Sequence, residues 1–87
     1  MKKADLIYKK IENFLIVNGC EAWQHQKGCF IAPNGHRFSC ETSSGIIAIF
    51  HRDSEWGKKS NYFVLISDNL ALEKSLCFID HNIRARG

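Results

Sequence analysis

The spacing of the hydrophobic residues changes twice along this chain, and no other feature restricts its fold as much. Residues 3–18 and 68–83 carry apolar side chains at the three- and four-residue intervals of a helix with one buried face. Between them lie short apolar runs bounded by turn residues, and residues 36–42 alternate between the two sides of a strand. We therefore predict an α+β fold: a helix, an antiparallel sheet of four to five strands and a C-terminal helix, with both helices on one face of the sheet.

The length of the chain limits what this fold can contain. Its 87 residues predict a single domain over positions 1–87. A domain of this size has a thin core, so its side chains are needed to fill it and a large internal ligand cavity is not expected. The net charge of +3 is mild and permits weak attraction to phosphate without requiring it. We predict no cofactor and a partner that binds at the surface.

The expected location is the cytoplasm. The chain starts with charged residues, and its longest apolar runs, 46–50 and 62–66, are far shorter than the roughly 20 residues that span a bilayer. No membrane association is therefore expected. The four cysteines are Cys20, Cys29, Cys40 and Cys77. They show no close paired spacing, which favours reduced thiols that pack as small hydrophobic side chains.

The central segment predicts the arrangement of the sheet. Its strands are expected at residues 21–26, 29–32, 36–42, 46–51 and 62–66. The last two are apolar on both faces, which favours positions in the interior of the sheet. Alternation puts Arg37, Ser39 and Glu41 on the side that the helices leave open. Residues 52–61 form the longest irregular connection, and connections of this length often carry function.

A metal site is the first chemistry to consider, because two H-x3-C pairs follow one another. They consist of His25 with Cys29 and of His36 with Cys40. Four residues along a strand separate His36 from Cys40 by roughly 13 Å. Two zinc ligands cannot be that far apart, so we predict no metal.

A pair of histidines is the second candidate. A two-residue loop at Ser43-Ser44 would place His36 directly opposite His51, whereas a longer turn that includes Gly45 would break this opposition. Two imidazoles beside Arg52 could act as acid, base and phosphate stabiliser in metal-free phosphodiester cleavage. This pair supports an alternative hypothesis, a small metal-independent ribonuclease.

A binding surface is the third candidate. Trp56 lies among the cations Arg52, Lys58 and Lys59, and Arg37 extends this set if it lies on the open side. Aromatic rings beside cations suit stacking on a base with phosphate contacts, and Trp and Arg are equally the residues enriched at protein interfaces. The partner class, protein or nucleic acid, is not distinguishable from these residues.

The C-terminal helix offers a further surface. Leu72, Leu76, Ile79 and Ile83 form its buried stripe, but Leu70 and Phe78 point away from it. Either the helix is covered on a second side, or these two residues form an interface for a partner or for a homo-oligomer.

The order helix, strands, helix resembles that of double-stranded-RNA-binding domains and of small ribonuclease toxins. Gln26-Lys27-Gly28 before a short strand is similar to the toxins, which place a catalytic histidine in a Gly-Ser-His pattern at this point. Here Cys29-Phe30 follow the glycine, so the histidine that the resemblance implies is missing. Glycine-rich phosphate loops, G-x-S-x-G and H-E-x-x-H are also missing from the sequence. We therefore predict a non-enzymatic binding module that acts as an accessory or inhibitory factor, with the toxin-like ribonuclease as the alternative.

Overall fold

A computed structural model describes residues 2–85 of the chain. The elements are α1 (Lys3–Val17), β1 (Glu21–Ala22), β2 (Cys29–Ile31), β3 (Arg37–Ser43), β4 (Ile46–Arg52), β5 (Lys59–Leu65) and α2 (Ala71–Arg84). Each strand pairs antiparallel with its neighbour in sequence, which gives an open five-stranded sheet in the order β1 to β5. The predicted α+β architecture is confirmed. Neither helix within the described residues is long and apolar enough to cross a membrane.

Both helices cover the same face of the sheet, and the core lies between them and the strands. The buried stripe of α1 is Ile7, Ile11 and Leu15. It packs with Ala71 and Ile79 of α2 against inward-facing strand residues, which include Phe30, Phe38, Ile47, Ile49 and Val64. α1 lies against β3, α2 lies against β5, and the two helices contact each other. The opposite face of the sheet therefore has no helix over it in the part of the chain that the structure describes.

The turn between β3 and β4 differs from the prediction by one residue. Ser43 pairs with Ile46, so the loop consists of Ser44 and Gly45, whose φ angles are +50° and +80°. A two-residue hairpin of type I′ needs positive φ at both positions, and Gly45 adopts such a conformation without a steric cost. The predicted loop at Ser43-Ser44, which left Gly45 outside the turn, was therefore wrong. The change does not exchange the two faces of the strand, since Phe38 now opposes His51 instead of Ile49.

β5 is longer than predicted and lies at an edge of the sheet. Lys59, Ser60 and Asn61 pair with the end of β4, so the irregular connection is only 53–58. Pairing with β4 satisfies those of their backbone groups that face it, and this outweighs the polar side chains that argued against a strand. The interior position predicted for β5 was also wrong, because no further strand follows within residues 2–85. Its outward-facing Phe63 and Leu65 are consequently exposed.

The two ends of α2 are fixed by polar side chains from outside the helix. Before its start, the Asp68 carboxylate accepts a hydrogen bond from the Leu70 N–H at 2.8 Å and pairs with Lys74 at 2.6 Å. At its end, Nδ2 of Asn34 lies 2.9 Å from the carbonyl oxygens of Asn82, Ile83 and Ala85. Asn34 therefore satisfies free helix carbonyls and ties the turn before β3 to α2.

Candidate binding site on the open face of the sheet

A shallow cavity of about 380 Å³ lies on the face of the sheet that the helices leave uncovered. Its lining combines aromatic, cationic and acidic side chains: Trp23, Phe50, Trp56, Arg37, Arg52, Lys59, Glu41 and Glu55. Cys29 and Ser39, paired across β2 and β3, also contribute. This cavity and the residues around it are called the open-face cavity below.

Strand register brings these residues together. Side chains alternate along each strand, so Arg37, Ser39 and Glu41 of β3 share the open face, as predicted. Ser39 pairs with Phe50 and Arg37 pairs with Arg52, which places the end of β4 beside them. Residues far apart in sequence therefore converge because three strands pair in one register.

Arg37 is the least exposed cation of the open-face cavity. Its guanidinium carbon lies 5.3 Å from the centre of the Trp23 ring, in a cation–π arrangement. Its Nη2 lies 3.9 Å from Oε2 of Glu55, at the outer limit of an ion pair. Its Nε is buried and has no hydrogen-bond partner among the described residues. Arg37 is thus held by one ring and one distant carboxylate rather than by a full set of hydrogen bonds.

The connection 53–58 forms the rim of the cavity. Nη1 of Arg52 donates a hydrogen bond to the Gly57 carbonyl at 3.1 Å, which anchors the connection to the end of β4. The side chain of Trp56 is 89% exposed, so this ring is not folded over the core. Nζ of Lys59 lies 5.1 Å from the centre of the Phe50 ring. Of the predicted binding residues, Arg37, Arg52, Trp56 and Lys59 meet here, and exposed Lys58 lies outside the lining.

Two aromatic residues of the cavity were missing from the sequence prediction. Trp23 was placed in a strand, but β1 ends at Ala22 and the following turn carries the Trp23 ring towards Arg37. Phe50 was treated only as part of an apolar strand. Its position opposite Ser39 puts it on the open face, and the predicted register, which pairs Phe50 with Arg37, indicates the same face.

Exposed apolar side chains continue from the cavity along β4 and β5. Phe63 pairs with Ala48 and Leu65 pairs with Ile46. Phe63 is 61% exposed and Leu65 is 60% exposed, although both have large hydrophobic side chains. The open face therefore combines a charged and aromatic half with an apolar half.

The predicted histidine pair is formed, but on the other face of the sheet. Nδ1 of His36 lies 2.8 Å from Nε2 of His51, and Nδ1 of His51 lies 3.1 Å from Oγ of Ser60. The two residues are not directly opposed, but both point to the helix side, so the rings meet diagonally across the strands. They are only 4% and 7% exposed. Burial, together with the neighbouring His36, lowers the pKa of His51 below its ordinary value, against a smaller opposing effect of Asp53.

Most of the remaining sequence candidates lie apart from the open-face cavity, whose lining includes Cys29. Phe78 is half-buried and stacks on Tyr62 at a ring distance of 4.8 Å, whereas Leu70 is 53% exposed. Cys29 lies on the open side of the sheet and Cys40 on the helix side, so the two H-x3-C pairs do not form one cluster. All four cysteines are free thiols, and Cys77 is exposed rather than packed as predicted.

Comparison with protein families, with curated proteins and with solved structures finds no match to this chain. What the chain does must therefore be argued from the open-face cavity and its surroundings.

Proposed function

We propose that this domain is a non-enzymatic binding module that recognises a partner protein through the open face of its sheet. The observation that carries the proposal is the composition of the open-face cavity. Trp23, Phe50 and Trp56 stand there with Arg37 and Arg52 in a hollow of about 380 Å³. Trp and Arg dominate the binding energy of protein interfaces, where they fill pockets at the centre of the contact.

The charges of the cavity favour protein over nucleic acid as the partner. Its lining contains three cations and two carboxylates, a balance of only one positive charge. Glu55 also pairs with Arg37 and so reduces the charge available to a phosphate. Affinity for nucleic acid depends mainly on cations that neutralise phosphates. Adjacent exposed Phe63 and Leu65 extend the surface with apolar area, which is typical of a protein interface.

The buried position of the histidine pair argues against the ribonuclease hypothesis. A general acid or base must come within hydrogen-bond reach of its substrate. The rings of His36 and His51 lie on the helix side of the sheet, where the partners of their facing nitrogens are each other and Ser60, although His51 also borders the open-face cavity. The location is a separate question. Cysteines stay reduced in the cytosol, so the free thiols of this chain lead us to propose the cytoplasm as its location.

Affinity capture with matched variants tests the proposal. The tagged domain is incubated with extract of its native host, and captured proteins are quantified by mass spectrometry. Trp56→Ala removes an exposed ring at the cavity rim, whereas Val17→Ala removes an 83% exposed apolar side chain from α1 as a control. We expect a specific partner whose recovery falls by about tenfold or more with Trp56→Ala and stays unchanged with Val17→Ala. Equal recovery with both variants would refute the open face as the binding surface.

Short RNA and DNA oligonucleotides test the competing partner class. Fluorescence anisotropy over a salt series is expected to show no specific binding. Affinity that falls steeply with salt and is weakened by Arg52→Ala would replace the protein proposal with a nucleic-acid one. Cleavage of the oligonucleotide on a gel, abolished by His51→Ala, would restore the ribonuclease hypothesis.

A further inference from the structure

The outer edge of β5 presents backbone groups that no strand within the described residues satisfies. β5 pairs with β4 on one side only, whereas the opposite edge of the sheet is formed by β1, which has two residues. Natural proteins usually shorten, bend or charge such an edge, because a long apolar edge is a template for another strand. After Lys59, residues 60–66 contain no charged side chain, proline or glycine. This edge is therefore unprotected over most of its length.

The direction of these backbone groups follows from the hydrogen bonds of the hairpin. The Ile66 N–H donates to the Gly45 carbonyl at 2.8 Å, so even-numbered residues here point towards β4. Backbone groups alternate in direction along an antiparallel strand. The N–H groups of Asn61, Phe63 and Leu65 and the C=O groups of Asn61 and Phe63 consequently point outwards, whereas the Leu65 carbonyl accepts a hydrogen bond from the Asp68 N–H at 3.0 Å. The outward groups form a row of donors and acceptors to which an extended chain can pair.

Apolar surface lies on both sides of this row. On the open face, the side chains of Phe63 and Leu65 are more than half exposed. On the helix side, a groove of about 490 Å³ runs between β5 and α2 and includes Tyr62, Leu70 and Phe78 in its lining. An added strand would thus place successive side chains alternately beside Phe63 and against Leu70.

We propose that the edge of β5 binds an extended, uncharged peptide segment of a partner protein as a sixth strand of the sheet. Backbone hydrogen bonds would fix its direction, and apolar or β-branched side chains would contact both faces. The proposal goes beyond the open-face function, because it depends on backbone groups of β5 rather than on the cavity. It also gives a role to Leu70 and Phe78, which the sequence marks as interface residues.

A second copy of this chain fits the edge less well than a peptide does. α2 lies against β5, so a two-fold pairing of β5 with itself would bring the two α2 helices together. Paired strands are about 4.8 Å apart, but packed helices need about 8–10 Å between their axes. A single extended segment brings no second helix to this edge and avoids this conflict.

Peptide selection with a backbone variant tests this proposal. A library of random octapeptides is selected on the wild-type domain, and the strongest binder is measured against two variants of Asn61. Asn61→Pro removes one outward N–H, and Asn61→Ala keeps it while removing the same side chain. Proline is tolerated where the N–H of an edge strand faces solvent, and thermal unfolding of the variant verifies this. We expect Asn61→Pro to weaken peptide binding by about tenfold or more, and Asn61→Ala and Trp56→Ala to leave it nearly unchanged.

Amide hydrogen exchange gives an independent readout on the wild-type protein. In the free domain, the amides of Asn61, Phe63 and Leu65 are expected to exchange fast, and those of Tyr62 and Val64 slowly. The selected peptide should protect the first three. Failure to select any peptide, equal affinity for Asn61→Pro, or unchanged exchange at these amides would overturn the proposal. A concentration-dependent dimer that protects the same amides would instead identify a second copy as the occupant.

Discussion

Acidification should destabilise this domain through the buried His36–His51 pair. Burial and the neighbouring ring lower the pKa of His51 in the folded state, while in the unfolded chain it titrates near 6.5. Below that pH the unfolded state binds more protons than the folded state. The stability contributed by neutral His51 is therefore complete above about pH 6.5 and is lost as the pH falls through the folded-state pKa.

The size of this effect can be bounded. One proton bound only by the unfolded state changes the free energy of unfolding by at most about 1.4 kcal/mol per pH unit. The free energy of unfolding of a domain of 87 residues is roughly 4–13 kcal/mol in total, so a change of this size per pH unit is readily measured. Urea unfolding at a series of pH values between 8 and 5, followed by circular dichroism, provides the assay. The hydrogen bond from Lys74 lowers the pKa of the Asp68 carboxylate. The stability that this carboxylate contributes is therefore lost only below about pH 3.8, outside the pH range of the assay.

Two variants separate this pair from the other histidines. His51→Leu removes the titrating group, so we expect a flatter dependence on pH. At pH 8 the His51→Leu substitution should lower the free energy of unfolding by about 1–3 kcal/mol, because Nδ1 of His36 loses its hydrogen-bond partner. His25→Ala, at an exposed position, should keep the wild-type dependence. A wild-type free energy of unfolding that is constant from pH 7.5 to 5.5, or an equal slope in His51→Leu, would exclude His51 as the source of this pH dependence.

Three further predictions concern the core, the thiols and the hairpin turn. The Ile79 side chain has 0% exposure, so Ile79→Ala should lower the free energy of unfolding by about 2–5 kcal/mol in a urea titration. A loss below about 1 kcal/mol would contradict the packing of α2. A thiol reagent at pH 8 should label the exposed Cys77 at once and the other cysteines only on unfolding. Burial raises the pKa of the Cys40 thiol to about 12, which keeps it in the unreactive protonated form. Fast labelling of a second thiol would contradict this. Ser44→Asn should stabilise the domain by roughly 0.5–1 kcal/mol, because Asn tolerates the positive φ of this turn better than Ser does. A destabilised variant would argue against the assigned turn.

Hydrophobic spacing was sufficient to predict the order of the elements and the side on which the helices lie. Apolar side chains on one stripe of a helix must be buried against an apolar face, and this chain offers one such face in its centre. The stripe of α1 and the inward-facing residues of β3 and β4 show this directly. The i, i+4 pair of Asp80 and Arg84 was also predictable, since it depends only on helix geometry.

The details that failed depend on backbone conformation and on neighbours distant in sequence. The turn at Ser44-Gly45 was set by positive φ angles, which residue type predicts only partly. β5 appeared to be an interior strand because both of its faces are apolar, but no further strand covers its edge within residues 2–85. Trp23 reaches the cavity only through the turn after β1. The histidine pair formed in spite of the wrong register, because a shift by two residues keeps both rings on the same face.

Site-specific photo-crosslinking in the native host tests the open face most directly. A photoreactive amino acid is placed at position 56 or 63 on the open face, or at position 17 on α1 as the control. We predict that both open-face positions yield the same discrete protein adduct and that position 17 yields none. Adducts from position 17 alone, or none from either open-face position, would contradict the open face of the sheet as the binding surface.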